Sequence, residues 1–162
     1  MMKKPITPKG YAALKEELQR LKAQRPEAAK AIEIARGHGD LSENADYDAA
    51  KNRSGLLEAK IRDLESKLAL SEPIDASRIT FTGKVMFGTI VKIADVDSGE
   101  ERTLSIVGEY ESDIESGMLS LAAPLGKALI GKAEGDVVRV NAPGGTKEYE
   151  ILSIEPLMQE DR

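Results

Sequence analysis

The sequence predicts an α+β protein: an N-terminal antiparallel α-helical coiled-coil hairpin over residues 1–75, and a C-terminal antiparallel β domain with one short helix over residues 76–162. Three observations lead there. Before residue 70, apolar residues recur three and four apart in two runs, the spacing of a stripe along a helix face. After residue 84, β-branched residues gather in short runs bounded by turn signals, the pattern of strands. Between the two, Glu72-Pro73-Ile74-Asp75 is a helix stop, because the residue before proline avoids helical angles.

Thr7 followed by Pro8 opens the first helix. A threonine hydroxyl accepts from an early amide, and the missing N–H of proline costs nothing in the first turn. Leu14, Leu18, Leu21, Ala28, Ile32 and Ala35 form the stripe as far as Arg36, interrupted only at Arg25. Pro26 is expected to kink or split this helix near Arg25, since proline removes one backbone hydrogen bond and crowds the preceding turn. In the second run, Tyr47, Ala50, Ser54, Leu57, Ile61, Leu64 and Leu68 make a coiled-coil seam. The short, glycine-punctuated segment Gly37-His38-Gly39-Asp40-Leu41-Ser42 folds the second helix back on the first. With a rise of about 1.5 Å per residue, arms of about 30 residues extend on the order of 45 Å. Ala35 and Ala50 are the seam residues near the turn, and leucines occupy the open end, so the hairpin is expected to be narrowest at its tip.

In the C-terminal domain, strands are expected over Val85 to Ile93, Thr103 to Val107, Val137 to Val140 and Glu148 to Ile154. Asp97-Ser98-Gly99 and Pro143-Gly144-Gly145 read as the turns of two hairpins. A short helix is expected from Pro124 to about Ile130, opened by proline and closed by Gly131.

Composition narrows the chemistry. Of 162 residues, 41% are hydrophobic and 31% charged, enough for a core and against disorder throughout. Aromatics are 4% with no Trp, too few for a platform that stacks single-stranded nucleic acid. With no cysteine and one histidine, disulfides, thiol nucleophiles, iron–sulfur clusters and any site needing two imidazoles drop out. No apolar run approaches the roughly 20 residues that cross a bilayer, and Met1-Met2-Lys3-Lys4-Pro5 is not followed by an apolar signal core. A cytoplasmic protein without a membrane partner is expected. Residues 1–75 carry 14 Lys and Arg against 13 Asp and Glu, and residues 76–162 carry 9 against 15. The acidic second half repels phosphate backbones, which favours a basic patch on another protein over free DNA or RNA as its partner.

The turn is where chemistry gathers. Residues 37–48 hold four carboxylates, Asp40, Glu43, Asp46 and Asp48, with no Lys or Arg between Arg36 and Lys51. One reading is capping: Asp40 accepts from the first amides of the second helix, Glu43 reaches back, and early acids suit the helix dipole. A calcium loop begins well at Asp40, Ser42 and Asn44 but places Ala45 where glycine is needed and Lys51 where a bidentate glutamate is needed. The third reading is an incomplete hard-cation site in which Asp40 and Glu43 supply oxygen ligands to Mg²⁺. Two carboxylates on an exposed turn hold magnesium weakly. They make sense when carried into a site that already holds metal and phosphate, where they complete a two-metal arrangement and position a water.

These residues carry a resemblance. Gly39-Asp40-Leu41-Ser42-Glu43-Asn44-Ala45-Asp46-Tyr47, followed by Ala49-Ala50-Lys51, resembles the signature of the bacterial Gre transcript-cleavage factors. Ile106-Val107-Gly108, Ser120 to Pro124, Ala128-Leu129-Ile130-Gly131-Lys132 and Pro143-Gly144-Gly145 resemble that family's C-terminal domain. The match runs in order from about Pro5 to Glu155. Leu41, Ala49-Ala50 after Tyr47, Pro143-Gly144-Gly145 and the near-neutral first 75 residues look like the GreA type rather than the GreB type.

The resemblance implies a transcription elongation factor that inserts its coiled coil into the secondary channel of bacterial RNA polymerase. There it stimulates the polymerase to cut the extruded RNA 3′ end. Asp40 and Glu43 match the essential acidic pair and would share Mg²⁺ with the polymerase active site, the factor having no cofactor of its own. Ser42 and Asn44 match supporting tip positions, and Arg36 and Lys51 match flanking basic positions suited to RNA. The second domain is implied to be FKBP-like and to dock on the channel rim, in the β′ subunit. A monomer in isolation is expected.

Other residues invite different readings. His38, between two glycines, lacks the second base or nucleophile that catalysis needs. Gly83-Lys84 and Gly144-Gly145 lack the spacing of a phosphate loop. Glu109, Glu111, Asp113 and Glu115 read as a solvated face or loop, or as a contact for a basic partner. Two other functions compete: a channel-binding inhibitor of similar shape, and a prolyl isomerase suggested by the implied fold. Fold alone is a poor warrant for function, and Phe81, Phe87, Tyr110 and Tyr149 are few residues from which to line a proline pocket.

Overall fold

Thr7 and Pro8 start a helix as their chemistry suggests. In the computed structural model, which describes residues 3–37 and 44–157, the Thr7 hydroxyl accepts the Gly10 N–H at 3.0 Å, and α1 runs Pro8–Lys22. The expected break follows. Pro26 has no N–H to offer the Lys22 carbonyl, α1 ends there, and α2 begins afresh as Arg25–Arg36 with proline in its first turn. Facing them is α3, Ala45–Leu70.

The chain divides into two units, Ala12–Leu70 and Met1–Tyr11 with Ser71–Arg162. The first is the helical hairpin. Leu21, Leu57, Ile61 and Leu64 are buried in its seam, with Leu14, Leu18 and Ala28 packed against them. Ala35 and Ala50 are each only 4% exposed, the small pair that lets the arms approach near the turn. Outside the seam, Arg25 donates to both carboxylate oxygens of Glu58 at 3.0 and 2.8 Å, and Lys22 pairs with Glu65 at 3.3 Å. The hydrogen bond from Arg25 holds the Glu58 carboxyl below the usual glutamate range.

The ends of the hairpin sequence belong to the other unit. Lys4–Ile6 (β1) and Ser71–Pro73 (β2) pair in parallel, and Ile74 N–H donates to the Ile6 carbonyl at 2.9 Å. Residues 1–75 are thus not one piece in the structure, although the sequence reads them as one. Strands of three residues are too short to display a period.

The main sheet contains β3 (Thr89–Asp95), β4 (Glu101–Val107), β5 (Met118–Ser120), β6 (Val137–Ala142) and β7 (Gly145–Pro156), in the order β5-β4-β3-β7-β6. The β3–β4 turn is built by Asp95, whose carboxylate accepts from Asp97 N–H at 2.8 Å and Ser98 N–H at 3.2 Å. Gly99 closes it at φ +77°, left-handed backbone that glycine adopts at no steric cost. The β6–β7 hairpin ends at the pair Ala142↔Gly145, around the predicted Pro143-Gly144 turn. One face buries Val91, Ile93, Leu104, Ile106, Ile151 and Ile154. Ile151 and Ile154 share that face despite their odd spacing because the register shifts: Lys92 pairs with Ser153 and Ile93 with Ile151, leaving Leu152 as the extra residue of a bulge. Helix α4, Pro124–Leu129, covers the core with Leu129, fully buried. Ser120 requires glycine at position 126, since a Cβ there would stand 2.1 Å from its carbonyl oxygen.

Three expectations need correction. The sheet is not wholly antiparallel, because β4 and β5 pair in parallel. Parallel neighbours need a crossover, here residues 108–117 with short turns at Glu109–Glu111 and Ile114–Ser116. The strand expected from Val85 starts at Thr89, after Gly88 at φ +84°. Third, the acidic run is not merely solvated. Glu111 accepts from Thr7 N–H and Gly108 N–H at 2.8 Å each and from the Thr7 hydroxyl at 2.5 Å, and Glu109 pairs with Lys4 at 3.0 Å. Backbones press so close here that a Cβ on Gly108 would stand 2.1 Å from the Pro5 carbonyl oxygen. Among the described residues, no helix is long and apolar enough to cross a membrane.

Ile61→Ala is expected to destabilise the hairpin by about 2–5 kcal/mol, as for other buried large-to-small changes, while Leu56→Ala, 64% exposed, stays within about 0.5 kcal/mol; denaturant unfolding followed by circular dichroism measures both. The lowered Glu58 carboxyl stabilises the fold only while ionised. The difference in melting temperature between wild type and Glu58→Gln is therefore expected at neutral pH and should shrink as pH falls below the ordinary glutamate value of 4.5.

Candidate functional site at the hairpin tip

The last turn of α2 closes with Gly37, whose N–H donates to the carbonyls of Glu33 at 3.3 Å and Ile34 at 3.1 Å. The chain re-enters the described structure at Asn44, and this residue joins the two arms. Its side-chain oxygen accepts the Tyr47 N–H at 3.0 Å, and its side-chain nitrogen donates to the Ala35 carbonyl at 2.5 Å. The first bond caps α3. The second gives a side-chain donor to a carbonyl in the last turn of α2, where the i+4 amides of a continuing helix are missing. Asn44 thus caps α3, and Asp40 and Glu43, to which the capping reading assigns that role, lie outside the described residues.

Tyr47 sits three residues into this start, half-buried. The Arg36 guanidinium lies 5.8 Å from the centre of its ring and the Lys51 ammonium 5.2 Å, both within the range at which a ring face attracts a cation. Arg36 and Lys51, one on each arm, are therefore gathered on one aromatic ring. Both are exposed. Asp46 and Asp48 stand in the first turn of α3, where negative charge suits the helix dipole.

Of the tip residues singled out in the sequence, Arg36, Asn44 and Lys51 are thus brought together around Tyr47, while His38, Asp40, Ser42 and Glu43 lie outside the described residues. Among the described residues no group of three or more His, Cys, Asp or Glu is arranged to hold a metal. The linking role of Tyr47 was missed by sequence reasoning, which placed it only in the seam. Its signal was an aromatic residue four positions before Lys51 on a helix; the approach of Arg36 from the other arm had none.

Comparison with known proteins adds to this geometry. Residues 4–72 match the family model of the GreA/GreB transcription elongation factor N-terminal domain, and residues 80–156 that of the GreA/GreB C-terminal domain. Transcription elongation factor GreA of Ralstonia nicotianae is 50% identical over 154 residues, covering 94% of this chain and 98% of its own. The GreA of Ruegeria pomeroyi is 50% identical over 156 residues, 96% of this chain and 99% of its own. That of Neisseria meningitidis is 48% identical over 155 residues, 95% and 98% of the two chains.

Removing the cap tests the local construction. Asn44→Ala is expected to lower hairpin stability by about 1 kcal/mol, measured by thermal unfolding, with Asn44→Asp retaining the bond to Tyr47 N–H but losing the one to Ala35.

Proposed function

The chain belongs to the GreA/GreB family of transcription elongation factors, and from that membership and the geometry of the tip we propose that it enters the secondary channel of bacterial RNA polymerase and stimulates cleavage of backtracked RNA. The chain is an elongation factor and not itself the enzyme. The polymerase performs the cut, and this protein lends groups to it.

The observation that carries the reading is the tie made by Asn44. It pins the end of α2 to the start of α3, so that the residues on either side of the six-residue stretch containing Asp40 and Glu43 are held at a fixed separation. Closing a short loop on a rigid base reduces the entropy lost when its groups engage a target. The buried alanine pair keeps the arms slim just behind that turn, as entry into a channel requires.

Asp40 and Glu43 are too few to hold Mg²⁺ alone, since a hard cation takes six oxygen ligands. As donors they fit a shared site, in which they would hold the ion jointly with polymerase groups. A bound Mg²⁺ there supplies charge stabilisation and a more acidic water. Ser42 and Asn44 support the acidic pair, Asn44 through the backbone ties already described. Arg36 and Lys51, held on Tyr47, provide positive charge for the phosphates of the extruded RNA 3′ segment. The C-terminal unit, FKBP-like in this reading, docks on the β′ rim of the channel, and the work takes place in the cytoplasm by a monomer.

Incubating a backtracked elongation complex with wild-type protein and with Asp40→Asn or Glu43→Gln tests this. Binding is expected to stay within about twofold of wild type while stimulated cleavage falls by roughly 10²-fold or more, the scale for loss of a preorganised charged group. Undiminished cleavage by either variant refutes the role of the acids. Wild-type protein that only slows nucleotide addition indicates a channel-blocking inhibitor instead.

A further inference from the structure

The C-terminal sequence is acidic, with 9 Lys and Arg against 15 Asp and Glu over residues 76–162, yet three of its cations meet at one place. Lys127, Lys132 and Arg139 line a groove of about 400 Å³ between α4 and β6. Elsewhere in this unit Lys92 pairs with Glu101 at 3.1 Å and Lys4 with Glu109 at 3.0 Å. Within the groove, Arg139 reaches Glu148 only at 3.6 Å, and Lys127 and Lys132 have no ion pair among the described residues.

The same groove exposes apolar surface. Ile130 is 39% and Val137 52% exposed, and both line it. Single exposed apolar residues are ordinary. Two that share a concave site lined by three cations fit a ligand that is apolar at its centre and anionic around it, the arrangement of an interface core within a charged rim. Moreover, β6 is the end strand of the sheet, bonded within it only to β7, so an extended chain can add along its outer edge.

We propose that the groove between α4 and β6 is the surface by which the C-terminal unit grips its partner, and that it receives an acidic segment of RNA polymerase bearing an apolar side chain. This rests on the polymerase reading above. It adds which residues dock and what chemistry they require. Lys127 and Lys132 steer and hold the carboxylates, Arg139 flanks them, and Ile130 with Val137 covers the apolar anchor. Net negative charge over the rest of the unit repels the same segment, so the groove also sets where docking occurs.

The test uses the full chain and a backtracked elongation complex, measuring both the half-saturating concentration and the maximal cleavage rate. Lys127→Glu with Lys132→Glu is expected to raise half-saturation roughly tenfold at low salt, with less effect as salt rises, and to leave the maximal rate at saturation unchanged. Ile130→Ser raises half-saturation at all salt concentrations. Lys127→Arg with Lys132→Arg stays near wild type. In parallel, a synthetic peptide of alternating Asp and Leu is expected to compete with polymerase for the wild-type chain, a readout independent of any variant's folding. Half-saturation unmoved by charge reversal, or no competition by the peptide, overturns this proposal while wild-type cleavage leaves the polymerase reading standing. Failure of the wild type to bind or stimulate overturns both.

Discussion

The tip depends on how closely two helices can approach. Ala35 and Ala50, one on each arm near the turn, are buried, and side chains this small let α2 and α3 come near enough for the Asn44 side chain to reach the Ala35 carbonyl. That bond is short-range and directional, so it exists only if the seam has set the arms at the right separation and register. The apolar seam from Leu21 to Leu64 provides most of the hairpin's stability, since buried side chains of this size are each worth about 1.5–3 kcal/mol while exposed ion pairs contribute little. Packing sets the spacing, and polar contacts then use it.

Charge is distributed by the same logic. In the hairpin unit, acidic and basic residues nearly balance and are spent across the arms, as in Arg25 with Glu58 and Lys22 with Glu65. The two cations nearest the turn instead sit on the Tyr47 ring. A ring face attracts a cation without neutralising its charge, so Arg36 and Lys51 are oriented but remain available to anions. The C-terminal unit works differently. Its acidic excess includes Glu111, which serves as a structural acceptor for three donors, while Lys127, Lys132 and Arg139 line one groove. Function and stability thus draw on the same residue types in different settings.

Much of this was legible beforehand because helices and hairpins announce themselves locally. The seam residues from Tyr47 to Leu68 were named from spacing, and four of them, Ala50, Leu57, Ile61 and Leu64, are buried. Pro26 divided the first helix as its missing N–H requires, and the turns at Gly99 and Gly145 fell where glycine was needed. What stayed hidden has a common cause. β1, β2 and β5 have three residues each, too few for alternation to appear, and the β7 bulge at Leu152 breaks the period on which strand reading relies.

By itself, the sequence determined the fold class, the two helical arms and the main turns, all of which follow from residues near one another along the chain. Tertiary structure alone decided that Asn44 ties α3 to α2, that Tyr47 gathers Arg36 as well as Lys51, that Glu111 anchors Thr7, and that β5 runs parallel to β4. Each of these is a contact or pairing between residues distant in sequence. Such partners meet only after packing has fixed the distance between their backbones, and a pattern read along the chain carries no measure of that distance.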